Sequence, residues 1–131
     1  MSQENVEVVR RMYDAYHAGD AAGSLACFDP DVVIDFSRRA DGRVGHGREY
    51  LSEVVISWMG AWEEWHEKID EIRDLGSQVY VLATQHGRGK GSGAEVEQSY
   101  AFLCEVEGEQ ITKLTYYPQA AEALEAAGLS E

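Results

Sequence analysis

From Trp65 to Tyr117 the helical spacing of the first half of the chain disappears, and four extended segments follow one another across glycine turns. Trp65 to Leu75, Val79 to Arg88, Ala94 to Val106 and Ile111 to Tyr117 read as strands. Gly76-Ser77, Gly89-Lys90-Gly91-Ser92-Gly93 and Glu107-Gly108-Glu109 are the connections. Turns this short join antiparallel neighbours, so a four-strand meander is expected. Such a sheet has an apolar face that must be covered.

The cover comes from the first half. Ser2 is placed to cap a helix whose apolar stripe is Val6, Val9, Tyr13 and Tyr16, at steps of three and four. Ala18-Gly19-Asp20 closes it and opens a short second helix carrying Leu25 and Phe28. Asp29-Pro30-Asp31 reads as a turn into the strand Val32 to Phe36. Ser37 to Gly47 is a polar loop, and Arg48 to Glu63 a third helix with Leu51, Val54, Val55, Trp58 and Trp62 on one stripe. Pro118 ends the sheet, and Ala120 to Ala127 forms a short C-terminal helix. The expectation is a single α+β domain over residues 1–131, its helices gathered on one face of a curved antiparallel sheet.

Charge excludes some roles. Twenty-four acidic against 11 basic residues give a net charge of -13, the wrong sign for binding nucleic acid or an anionic membrane. No apolar stretch approaches membrane-spanning length, and Met1-Ser2-Gln3-Glu4-Asn5 lacks the basic and apolar parts of a signal peptide, so a cytoplasmic location is expected. Cys27 and Cys104 sit in apolar contexts and read as two buried free thiols, although a disulfide stays open. The four histidines show no ligand-pair spacing, so no metal is expected. The Gly-rich tip lacks the Ser or Thr after Gly-Lys, and no helix starts there, so it is not a phosphate loop. No cofactor is expected.

Five segments carry a family resemblance: Glu4-Asn5-Val6-Glu7-Val8-Val9-Arg10-Arg11, His17-Ala18-Gly19-Asp20, Phe28-Asp29-Pro30-Asp31-Val32, Gly87 to Gln98, and Ala121 to Leu129. With the element order, these resemble the nuclear transport factor 2-like superfamily and its SnoaL-like, polyketide cyclase-like branch. The last two look like those of a bacterial subfamily within it. The resemblance implies a cystatin-like cone: a strongly bent sheet with the three N-terminal-half helices on its concave face, open at one end around a small apolar ligand. It also implies a homodimer through the outer sheet face. The superfold hosts isomerases, cyclases, dehydratases, epoxide hydrolases and non-enzymatic binders, so fold alone names no reaction.

Asp35, inside the apolar run Val32-Val33-Ile34-Asp35-Phe36, is the first candidate for a general acid or base. A carboxyl in an apolar wall has its pKa raised toward working pH. Equally open is a structural Asp35 bonded to loop amides or paired with Arg38 or Arg39. On the long strand Val96, Gln98, Tyr100, Phe102, Cys104 and Val106 share the core face, which makes Gln98 and Tyr100 polar groups inside the cone. Tyr13, Tyr16, Tyr100 and Tyr117 are candidate donors to a substrate oxygen or simply amphipathic packing. Trp58 and Trp62 are candidate pocket walls, and His86 a structural, pocket-lining or proton-shuttling residue.

Two catalytic sets of the superfamily that the chain resembles bear on these positions. The base aspartate of ketosteroid isomerases aligns with Phe36, one residue past Asp35, and their second acid aligns with Tyr100. The Arg-x-Asp pair of limonene epoxide hydrolases finds only Arg39-Ala40-Asp41, in the loop. Two functions follow as expectations. One is a pocket for an apolar, oxygenated or cyclic ligand with cofactor-free isomerase, cyclase or hydrolase chemistry, with Asp35 as base. The other is a non-catalytic binding or dimerisation module.

Overall fold

The structure, a computed structural model, describes residues 2–39 and 42–128. The cap assigned to the Ser2 side chain and the Ala40-Asp41 part of the loop triplet lie outside the described residues. Helix α1 (Ser2–His17) and the short α2 (Ala21–Leu25) precede strand β1 (Phe28–Asp35), the three-residue β2 (Val44–His46) and helix α3 (Arg48–Met59). Strands β3 (Trp62–Asp74), β4 (Gln78–Gly89), β5 (Glu95–Glu107) and β6 (Gln110–Tyr117) form the meander, and α4 (Ala120–Ala126) follows.

These six strands make one curled, unclosed sheet in the order β2-β1-β6-β5-β4-β3. The expected meander β3 to β6 is antiparallel throughout. Beyond it, β1 lies parallel to β6, with Ile34 opposite Leu114 and Asp35 opposite Thr115. A parallel pair needs a long connection, and the rest of the chain supplies it.

Three boundaries differ from expectation. Asp29-Pro30-Asp31 is part of β1 rather than a turn before it, at the place where the register with β6 shifts between Phe28 and Val33. Proline lacks a backbone N–H and is tolerated at such a break. The loop after β1 contains β2, which pairs with β1. The third helix ends at Met59 with Gly60 as its cap, so Trp62 opens β3 instead of extending the helical stripe.

The core lies between the concave sheet face and the helices. Val6, Val9, Met12 and Tyr13 of α1 and Leu51 of α3 pack on Val32, Ile34, Val79, Val81, Cys104 and Ile111. On the opposite face a smaller cluster places Ala123 of α4 against Tyr80, Ala101, Leu103 and Tyr117. Cys27 and Cys104 are buried free thiols. None of the described helices is long and apolar enough to cross a membrane.

Candidate functional site

The concave side encloses a cavity of about 270 Å³, close to the lower end of the range typical of small-molecule sites. Met12, Tyr13 and Tyr16 of α1 form one wall, and Leu51, Val54, Val55 and Trp58 of α3 another. The sheet contributes Trp65, Glu67, Gln85, Gln98, Tyr100, Phe102 and Tyr116, and Phe36 and Arg39 follow from the end of β1. The lining is predominantly aromatic and aliphatic, with a few convergent polar groups.

One carboxylate stands in that lining. In β3, Trp65, Glu67 and Ile69 face the helices while His66 and Lys68 face out, so strand alternation carries Glu67 inward. Its side chain is 5% exposed. The Tyr100 hydroxyl donates a hydrogen bond to Glu67 Oε2, and His17 Nε2 lies 2.9 Å from Oε1. Each carboxylate oxygen can accept more than one bond, so both retain capacity toward a ligand.

The surrounding phenols are held protonated. Burial, then the charge of Glu67, push the Tyr16 hydroxyl up to about 12 and raise that of Tyr13 well above its ordinary value. Tyr100 rises through burial, the Glu67 charge and its own hydrogen bond to Glu67. All three are therefore donors at any physiological pH. Tyr16 points its hydroxyl at the Met59 sulfur, 3.6 Å away, a weak acceptor that a ligand oxygen would readily displace. Beside them a chain of amides is fixed in orientation: Trp65 Nε1 donates to Gln85 Oε1 at 2.8 Å, and Gln85 Nε2 to Gln98 Oε1 at 3.3 Å.

Of the residues singled out from the sequence, Tyr13, Tyr16, Trp58, Gln98 and Tyr100 line this cavity. The other four do not. Trp62 lies behind the wall, edge-on to Trp58 at 5.4 Å between ring centroids, with its ring seated over Gly87, where a Cβ would come within 2.5 Å of it. His86 projects from the other face of β4 and sits 3.6 Å from Glu97 with a 57% exposed side chain. It cannot join Gln98 or Tyr100, because alternation in β4 sends Gln85 inward and His86 outward. Tyr117 is buried on the far face beneath α4.

Asp35 is the main correction. Val32, Ile34 and Phe36 point inward, at 0%, 0% and 8% exposure, so Asp35 points out. Its Oδ1 accepts hydrogen bonds from the Ser37 amide (3.0 Å) and hydroxyl (2.6 Å), and Arg38 lies 3.9 Å from Oδ2. Partial burial pushes the carboxyl up, but Ser37, Arg38 and Lys113 together outweigh it, and the net shift is downward. The raised pKa expected of an apolar wall is not found.

That shift has a pH signature. A carboxyl with a lower pKa folded than unfolded adds stability above the unfolded value, and the contribution is lost as pH falls through the folded one. Asp35→Asn is therefore expected to destabilise the protein near neutral pH by no more than about 1 kcal/mol, as for a solvent-screened pair. Thermal melts of the two proteins should converge in acid. A difference that grows on acidification would contradict the assignment.

Residues 9–114 match the sequence model of the SnoaL-like domain. No curated protein matches the chain. Among solved structures, it is similar to a nuclear transport factor 2-like protein of unknown function from Burkholderia pseudomallei, at 22% identity and TM-score 0.77, over 93% of this chain and 95% of that one. A putative polyketide cyclase from Xanthomonas campestris aligns at 22% identity and TM-score 0.73, over 96% and 98% of the two chains. TerC, co-crystallised with polyporic acid, aligns at 16% identity and TM-score 0.76, over 95% and 98%.

Proposed function

The chain belongs to the SnoaL-like domain family, and from that premise we infer that its cavity binds a small ring-bearing ligand and performs cofactor-free proton transfer on it with Glu67 as the acid–base group. The observation that carries this reading is a carboxylate only 5% exposed in an otherwise largely apolar hollow, gripped on one oxygen by Tyr100 and approached on the other by His17. A carboxylate is tolerated in such a place only when its oxygens are bonded, and Tyr100 and His17 hold this one while leaving both oxygens able to accept from a ligand. The putative polyketide cyclase and the polyporic acid partner of TerC add support, since both descriptions concern small organic molecules.

The chemistry follows from placement. A ring ketone held between α1 and the sheet would present an acidic C–H to Glu67. Removing that proton places negative charge on the ketone oxygen, where a phenol such as Tyr16, or the Gln98 amide, donates to the developing enolate. Tyr100 and His17 orient the carboxylate so that it need not reorganise. Returning the proton to another carbon completes an isomerisation or assists ring closure.

The test uses 2-tetralone in D₂O, with loss of its α-proton signals followed by NMR and its binding followed by Trp fluorescence. The protein is expected to accelerate exchange well above buffer, and Asp35→Asn to exchange at the unmodified protein's rate. Exchange at the buffer rate by a protein saturated with tetralone would defeat the acid–base reading and leave a non-catalytic binding module.

A further inference from the structure

Two neighbouring arginines leave the end of β1 on opposite sides of the sheet. Arg38 goes outward, 3.9 Å from Asp35 and 3.7 Å from Glu122, over the Tyr117 ring. Arg39 goes inward and lines the cavity. Its guanidinium carbon lies 4.3 Å from the Trp58 ring centroid and 5.2 Å from that of Phe36, and it makes no ion pair with any described residue. In a chain with 24 acidic residues and 11 basic ones, an arginine that lies among aromatic faces and pairs with no described carboxylate is a place where an anionic ligand group would be met. No other Lys or Arg among the described residues lines the cavity.

Arg39 is also separated from the acidic group. Phe36, Tyr116, Phe102 and Tyr100 form a continuous aromatic panel, with neighbouring ring centroids 5.6 to 6.1 Å apart. Arg39 stacks at the Phe36 end, and Glu67 is bonded to Tyr100 at the other. The cavity therefore has a cationic pole, an apolar middle and an acidic pole. A guanidinium stacked on an aromatic face keeps its N–H edge free for two parallel bonds to a carboxylate.

We propose that the ligand is an amphipathic acid, a flat apolar ring body ending in a carboxylate that pairs with the N–H edge of Arg39 while its neutral, oxygen-bearing end faces Glu67 and Tyr100. This rests on the reading of the cavity as a ligand site and adds the charge and direction of what it holds. Reversal of the molecule is disfavoured, because it would set the ligand carboxylate against Glu67.

Titration calorimetry with 2-naphthoate and its near-isosteric neutral partner 2-naphthamide, near neutral pH, tests it. The unmodified protein is expected to prefer naphthoate by about tenfold or more, the scale of a hydrogen bond to a charged group. In Arg39→Gln the preference should fall to near unity, and in Arg39→Lys it should return in part. Equal affinities for both probes in the unmodified protein, or a preference that survives Arg39→Gln, would overturn the proposal while leaving the cavity as a binding site. Failure of both probes to bind would remove the underlying reading as well.

Discussion

Glu67→Gln is expected to reduce catalysed α-proton exchange by about 10²- to 10⁴-fold, the usual contribution of a positioned general base. The substitution keeps the shape of the side chain, and its carbonyl oxygen can still accept from Tyr100. What it loses is basicity: an amide cannot take a proton from carbon. The side chain is only 5% exposed, and its bonds to Tyr100 and His17 offset the cost of its burial. With the Tyr100 bond retained, the melting temperature should change little as the activity falls, the pattern of a residue kept for function rather than stability. Binding of 2-tetralone, read by Trp fluorescence, should stay within a few-fold. An exchange rate within threefold of the unmodified protein would mean that Glu67 is not the base.

The largest expected loss of stability comes from Ile34→Ala, at about 2–5 kcal/mol, which for a domain of this size lowers the melting temperature by roughly 10 °C or more. Ile34 is 0% exposed, in the strand between β2 and β6, opposite Gly45 and Leu114. Truncation removes two methyl groups and a methylene from a site that strand pairing on both sides prevents from collapsing. By contrast, Ile56 is 70% exposed at the edge of the cavity, and Ile56→Ala should fall within about 0.5 kcal/mol of the unmodified protein. Circular dichroism melts of the pair measure the difference. Equal melting temperatures would show that β1 is not an integral part of the sheet.

Local periodicity is what made much of this architecture readable. The inward face of β5 follows from alternation alone, which is why Gln98 and Tyr100 were placed inside the cone, and helical steps of three and four placed Tyr13, Tyr16 and Trp58. The parallel pairing of β1 with β6 was not legible, because nothing local to Val32–Phe36 records a partner so late in the chain. For Asp35 an apolar run suggests burial on both faces, whereas β1 buries one face fully and leaves Asp35 on the side of Thr115. Glu67 is masked in the sequence for the opposite reason. Its strand is rich in acids, which suggests solvent, and only its place between Trp65 and Ile69 on the inner face could have marked it. Trp62 fell where helical and strand spacing meet, and Gly60 decided in favour of the strand. Arg39 lay in a polar loop, where spacing says nothing about direction.

The seating of β1 beside β6 also bears on how the protein is made. As the nascent chain leaves the ribosome, β1 emerges soon after α1, but β6, the strand that flanks it, follows only after α3 and the rest of the meander. Until then β1 has only the three-residue β2 as a strand neighbour, and its apolar side chains have only α1 and α3 to cover them. The hollow is thus completed only once β6 is made, and a chain translated no further than β5 would lack one of its walls.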